Sequence, residues 1–325
     1  MTTLTPKPDM TRFHGILPPI VTPLMPYGAL DLDSLTRLTR WLIDEGVHGI
    51  WACGTNGEFP CFTAEEREHV VATCVHAAAG RVPVIANVAD NATPLVIEHG
   101  RRALAAGADA LAVTPPYYYA NSQDELLALF REVRAALDAP LFIYNIPATV
   151  KVRLEVPGIV QLAVEGTVAG IKDSQGDMDF LRSLVLALRR AETELRLLPG
   201  TRSLIDVAML VGAHGAIPAI SNAVPRACVA TYAAAARGDW EAAAQAQAFA
   251  IQANDTFKTA TGSPAARGMG GIKAALKALG IIEHATLRSP LHSPTLHEEE
   301  QVAQAVHALG LLAIPDALKP LTAGA

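Results

Sequence analysis

The sequence lacks the features that mark several functional classes. No run of lysines and arginines occurs, and the formal net charge is −6, from 32 acidic against 26 basic residues. A nucleic-acid surface needs a basic patch, so that class is set aside. No stretch of about 18 apolar residues is present, which leaves nothing to cross a bilayer as a helix. Cysteine is scarce: Cys53, Cys61, Cys74 and Cys228 show neither C-x-x-C spacing nor the density of a disulfide framework. Met1–Arg12 is polar, without the apolar core of a signal peptide, so the expected compartment is the cytoplasm. No G-x-G-x-x-G follows the first apolar segment, which argues against a dinucleotide-binding sheet. The 10 histidines are scattered rather than spaced as metal ligands, and no metal or other cofactor is expected.

What is present is apolar mass in regular alternation. Half of the 325 residues are hydrophobic and only 18% are charged, enough for one large α/β barrel or two ordinary domains. Short apolar runs read as strands at 15–21, 49–52, 82–87, 110–114, 141–145, 195–198 and 216–217, with another leading from Val164–Ala169 to Lys172. The prolines Pro18 and Pro19 are awkward in the first of these. Between them lie helices at 34–45, 94–106, 156–164, 204–211 and 225–236, the first with Asp33 as its expected N-cap. Thr63-Ala64-Glu65-Glu66 and Ser122-Gln123-Asp124-Glu125 are capping boxes that open two more. Gly46, Gly107 and Gly212 each suit the left-handed position that ends a helix. Eight strand–helix alternations of about 28 residues predict a (β/α)8 TIM barrel over 12–237. From Asp239 only helices follow, at 239–259, 271–279 and 296–312. They predict a C-terminal appendage, 238–325, packed on the barrel in the same structural domain.

The decapeptide Gly170-Ile171-Lys172-Asp173-Ser174-Gln175-Gly176-Asp177-Met178-Asp179 reads as strand end, polar turn and helix start. A lysine closing an otherwise apolar strand is desolvated, which lowers its pKa and frees the amine lone pair. A lysine that snorkels from the strand end into solvent fits the same string. Barrel active sites sit at the carboxyl ends of the strands, and Tyr144 ends the preceding strand. Thr55, Asn56 and Glu58 follow the second strand, and Tyr117, Tyr118 and Tyr119 the fourth. An amine ringed by hydroxyls suits Schiff-base chemistry, because the hydroxyls shuttle protons as carbinolamine dehydrates.

Four motifs then carry a resemblance. Gly54-Thr55-Asn56-Gly57-Glu58, Val113-Thr114-Pro115-Pro116-Tyr117-Tyr118, Tyr144-Asn145-Ile146-Pro147 and Gly170-Ile171-Lys172-Asp173 resemble, in order and spacing, the dihydrodipicolinate synthase/N-acetylneuraminate lyase family of class I aldolases. The resemblance covers roughly residues 12–285 and implies a lyase in which Lys172 forms a Schiff base with pyruvate. Tyr144 would relay protons with Thr55 and Tyr118, the last lent by a neighbouring subunit of a homotetramer. Thr55 and Asn56 would hold the substrate carboxylate, Ser174 would face the substrate, and Gly200 and Ile217 would line the pocket floor. Synthases of the lysine pathway carry an arginine where Thr149 stands, and its loss removes a bidentate clamp for aspartate semialdehyde. The string Asn56–Pro60, with Lys172-Asp173-Ser174, looks most like 4-hydroxy-2-oxoglutarate aldolases, and Ile16–Pro19 and Gly57–Phe59 also look like 2-keto-3-deoxygluconate aldolases. Lys151, Arg153 and Arg202 are candidate replacement cations. The synthase activity, a sugar-acid dehydratase and a non-catalytic pyruvate-binding barrel are the alternatives.

Overall fold

The computed structural model describes residues 9–311. In chain order they form β1 (Gly15–Ile16), α1 (Leu32–Asp44), β2 (Ile50–Ala52), α2 (Ala64–Ala78), β3 (Val84–Asn87), α3 (Thr93–Ala105) and β4 (Ala110–Val113). Next come α4 (Gln123–Ala136), β5 (Leu141–Asn145), α5 (Pro147–Val150), α6 (Val156–Val164), β6 (Gly170–Asp173), α7 (Met178–Arg190) and β7 (Arg196–Leu197). The chain continues with α8 (Ile205–Val211), β8 (Gly215–Ala216), α9 (Pro225–Ala236), α10 (Trp240–Thr256), α11 (Pro264–Ala278) and α12 (Leu296–Ala308).

Strands β2 to β7 pair in sequence order, all parallel, and β1 pairs with β8. Backbone hydrogen bonds close the two remaining gaps. Trp51 N–H donates to Pro18 O at 3.0 Å between the β1 and β2 segments, and Ile217 N–H donates to Pro199 O at 2.8 Å between those of β7 and β8. The result is the expected eight-stranded α/β barrel. Pro18 and Pro19 limit regular pairing at β1 because they have no N–H to donate. Their carbonyls still accept, Pro19 O from Asn222 Nδ2 at 3.0 Å, which ties the loop after β8 to β1.

The barrel interior is filled by Leu17, Trp51, Ile85, Phe142, Leu198 and Ile217, and the largest apolar cluster lies between strands and helices. Helix α7 shows the logic of that outer layer. Phe180, Leu181, Leu184, Val185 and Leu188 recur at helical spacing and are all buried. Each contributes about 1.5–3 kcal/mol of hydrophobic stabilisation. Both expected capping boxes are formed, at Thr63–Glu66 and Ser122–Glu125. Gly46, Gly107 and Gly212 all have left-handed φ, as their places after α1, α3 and α8 require.

Several local expectations are corrected. The N-cap of α1 is Asp31, which accepts from Ser34 N–H, rather than Asp33, which sits in the first turn. The strand bearing Lys172 begins at Gly170, not at Val164. Val164 ends α6, and the turn at Glu165–Gly166 reverses the chain first. The short helix α5 was not expected. Helix α11 begins at Pro264 instead of Gly271, with Ser263 as its cap. Helix α12 ends at Ala308, and the expected end at Leu312 lies outside the described residues, as do the first eight residues of the leader segment.

His48 and His214 sit at the amino-terminal face, where Nδ1 of each accepts a strand N–H, from Ile16 at 3.2 Å and Leu197 at 3.1 Å. Burial lowers both pKa values, that of His48 to about 4, so each ring stays neutral and able to accept. At the other end the helical tail packs back: Ala250, Phe257, Ala274 and Val302 share an apolar cluster with Ile16, Ala216 and Ile220. Among the described residues no helix is long and apolar enough to cross a membrane.

Candidate active site

Adjacent parallel strands place Tyr144 on β5 directly beside Lys172 on β6, and Asn145 beside Asp173. Tyr144 and Lys172 both turn into the barrel and are 2% exposed. Lys172 Nζ lies 4.0 Å from the centre of the Tyr144 ring and 4.9 Å from that of Trp51. The two rings are themselves packed edge to face at 5.5 Å. Burial among these rings takes the ammonium out of water and lowers the Lys172 pKa to about 7. Ring faces favour the charged form by roughly 0.5–2 kcal/mol. The drop from 10.5 corresponds to about 5 kcal/mol, so desolvation wins. The snorkelling alternative is therefore not what this lysine does.

Thr55 Oγ1 is hydrogen-bonded to the Tyr144 hydroxyl at 3.0 Å. Burial raises the Tyr144 pKa to about 12, opposed by the hydroxyls of Thr55 and Ser174. The phenol therefore stays protonated and can donate. Thr55 and Asn56 lie on a tight loop flanked by two non-glycine residues with left-handed φ, Cys53 at 52° and Glu58 at 59°. Such backbone is costly, by about 1–3 kcal/mol per residue, and persists only where the surroundings enforce it. Among the described residues neither the Thr55 nor the Asn56 N–H has an intramolecular partner. A pair of adjacent loop N–H groups of this kind is suited to an anion such as a carboxylate.

A cavity of about 730 Å³ adjoins this site, with Lys172 just behind Gly200 in its wall. Thr55, Asn56, Ser174 and Gly200 form its barrel-side wall, while Phe257, Lys258 and Arg267 contribute from the tail. Gly200 has no room for a side chain: a Cβ there would stand 2.1 Å from Ser174 Oγ and 3.2 Å from Lys172 Cε. Ile217 does not line this cavity; it packs inside the barrel with Trp51 and Tyr144. Tyr118 lies on the loop after β4, 74% exposed, its N–H donated to Asn91 Oδ1 at 2.9 Å. Within one chain it does not join Thr55 and Tyr144. Lys151, Arg153 and Thr149 are exposed and line no part of the cavity, whereas Arg202, also exposed, lines it.

Two supporting networks escaped the sequence reading. Asp173 Oδ1 accepts from Asn145 Nδ2 at 3.0 Å and from Gln175 Nε2 at 2.8 Å, pinning the ends of β5 and β6 and so the lysine and tyrosine they carry. Behind the Thr55 loop, Glu58 and Lys273 form a wholly buried ion pair at 2.6 Å. Lys273 Nζ also donates to Thr286 O at 2.7 Å, and Glu58 Oε2 accepts from Arg288 N–H at 2.7 Å. Glu58 was visible as a motif residue, but nothing local distinguishes Lys273 from an ordinary surface lysine on its helix. Among the described residues no group of three His, Cys, Asp or Glu side chains is placed to hold a metal ion.

An eight-stranded barrel with a desolvated amine and a hydroxyl pair at its carboxyl-terminal mouth defines the class I aldolases. The model of the dihydrodipicolinate synthetase family matches residues 12–309, and the chain belongs to that family. The protein is accordingly a lyase of the lysine Schiff-base type. It is 36% identical over 261 residues to an uncharacterised DapA-like lyase of Halobacterium salinarum, covering 79% of this chain and 84% of that protein. It is 38% identical over 235 residues to the 4-hydroxy-tetrahydrodipicolinate synthase of Phenylobacterium zucineum, covering 72% and 79%. Among solved structures, YagE of Escherichia coli K12, a prophage protein of this family in complex with pyruvate, superposes with a TM-score of 0.85 at 28% identity, covering 92% and 99%. The dihydrodipicolinate synthase of Aquifex aeolicus gives 0.82 at 30% identity, covering 92% and 98%.

Proposed function

We propose that the enzyme cleaves a small 2-oxo-4-hydroxy acid to pyruvate and an aldehyde, through a Schiff base on Lys172. The observation that carries this reading is the buried Lys172 amine, its pKa lowered to about 7 beside the Tyr144–Thr55 pair. The Nζ lone pair attacks the C2 carbonyl, and proton transfers through Tyr144 and Thr55 expel water to leave an iminium ion. Loss of the C4 hydroxyl proton breaks the C3–C4 bond; its electron pair moves into the iminium as an enamine, and the aldehyde departs. Protonation at C3 and hydrolysis release pyruvate and restore the amine. The Thr55 and Asn56 N–H groups suit the C1 carboxylate, and Ser174 faces the rest of the substrate.

The substrate is a 4-hydroxy-2-oxoglutarate or 2-keto-3-deoxy sugar acid. Thr149 supports this choice, since the clamp that α5 would bring to aspartate semialdehyde is missing, and the cations of the cavity wall come from other segments. A site without one charged contact forfeits about 1.5–3 kcal/mol, or one to two decades in kcat/KM. Synthase activity remains the second reading because relatives such as the Phenylobacterium protein carry that name. Tyr118 completes the proton relay of a neighbouring subunit in a homotetramer. Its exposure, and its ring 5.0 Å from that of the equally exposed Tyr119, support a contact made outside the single chain.

Incubation with pyruvate and borohydride should leave a stable adduct on Lys172, and pyruvate release should be fastest from the 2-oxo-4-hydroxy acids. An adduct on another residue would remove Lys172 from the mechanism. Efficient condensation of pyruvate with aspartate semialdehyde, at about 10⁴ M⁻¹s⁻¹ or more, would hand the assignment to the synthase. A fully active monomer would overturn the role of Tyr118.

A further inference from the structure

We infer that the cavity beside Lys172 is built for substrates whose far end carries an anion, a carboxylate or a phosphate; this deepens the Schiff-base reading and rests on it. Three separate segments deliver a cation to the cavity wall: Arg202 from the loop after β7, Lys258 from the turn after α10, and Arg267 from α11. The neighbouring carboxylate, Asp255, stands against Lys258 and is held below its usual range by Lys258 and Arg202, but no aspartate or glutamate lines the same cavity. That is the reverse of the chain as a whole, in which acidic residues outnumber basic ones.

All three cationic residues are solvent-exposed where they line the cavity. Lys258 is held by Asp255 at 2.6 Å, but among the described residues neither Arg202 nor Arg267 is engaged in an ion pair. Their backbones are nevertheless fixed: Arg202 O accepts from Gln247 Nε2 at 2.8 Å, and Arg267 O accepts from the Thr259 hydroxyl at 3.2 Å. Beside Arg202, the Thr201 hydroxyl is buried without a hydrogen-bond partner. A buried hydroxyl left unpaired is costly, and an incoming anion oxygen would satisfy it.

The two ends of a substrate are thereby separated. Thr55 and Asn56 follow β2, while Arg202 follows β7, three strands away around the closed barrel. The first pair suits the C1 carboxylate next to the reacting carbonyl. The guanidinium groups suit oxygens at the other terminus, because their forked N–H groups match carboxylate and phosphate geometry.

Competition for the Lys172 amine tests this without requiring turnover. Pyruvate trapping by borohydride is competed with 2-oxoadipate, with 6-hydroxy-2-oxohexanoate, and with a 2-oxo acid of the same length ending in phosphate. All form their Schiff base at the same amine, so differences report the far end alone. At least one anionic competitor should exceed the neutral one by about tenfold, the usual worth of one charge-assisted hydrogen bond. Which of the two does so tells carboxylate from phosphate. In Arg202→Gln, and further in Arg202→Gln/Arg267→Gln, the ratio should fall toward one. Because the ratio is taken within one sample, partial loss of folded enzyme cancels. A wild-type ratio near one for both anionic competitors, or one that the double variant leaves unmoved, would overturn the anion site while leaving the Schiff base intact. Failure of pyruvate itself to label Lys172 would instead sink the reaction proposed above, and the anion site with it.

Discussion

Replacing Lys172 by methionine should make the protein more stable while abolishing its chemistry. The amine titrates near 10.5 when the chain is unfolded and at about 7 in the buried site. A folded pKa below the unfolded one means that, between those values, the unfolded chain binds the proton and the folded protein does not. Stability therefore rises with pH through that window. Weighting both protonation equilibria, the buried amine costs about 4 kcal/mol at pH 7 but only about 1 kcal/mol at pH 9.5. Methionine has nearly the same length and no charge, so Lys172→Met should unfold at higher urea by that margin at pH 7. The advantage should shrink by about 3 kcal/mol by pH 9.5. Urea titrations of both proteins at the two pH values, at one protein concentration, supply the double difference, in which other titrating groups cancel. An advantage that does not narrow as pH rises would show that the amine is charged in the folded protein at neutral pH. The nucleophile argument would then fail.

Tyr144→Phe keeps the ring beside the amine but removes the hydroxyl bonded to Thr55. It should lower kcat by about 10²–10⁴-fold, the range for a lost acid–base group; near-normal turnover in steady-state assays would remove Tyr144 from the relay. Lys273→Met strands the Glu58 carboxylate in the interior and should cost about 3–5 kcal/mol of stability. Turnover should fall with it through the displaced Thr55 loop, and adding Glu58→Gln should recover part of both in denaturation and rate measurements. A single-variant loss below about 1 kcal/mol would mean the pair is not structurally committed.

The barrel was readable because its signals are local. Every strand–helix unit carries its own apolar run, α2 and α4 add capping boxes, and glycines end α1, α3 and α8. Lys172, Tyr144 and Thr55 fall at or just past strand ends, where the architecture puts chemistry. The displaced start of β6 has an equally local cause: Glu165-Gly166 interrupts Val164–Ala169, and the chain reverses there before the strand begins. What stayed hidden depends on distance along the chain. Trp51 reads as one more core aromatic until the closed barrel sets it under the lysine. Lys273 reads as a surface residue until α11 buries it against Glu58. Of the cationic wall only Arg202 is named from the sequence, since Lys258 and Arg267 share no spacing with it that periodicity can detect.

The groups that hold Glu58 from behind lie 215 and 230 positions further along the chain, at Lys273 and Arg288. Synthesis runs from the amino terminus, and early segments begin to fold before late ones exist. On the ribosome, all eight strands and the reactive lysine emerge before the struts that fix the Thr55 loop. A nascent chain therefore contains Lys172 and Tyr144 well before it contains the residues that brace the Thr55 loop. Docking of α11 completes the support behind the Thr55 loop only after the whole barrel sequence has been made.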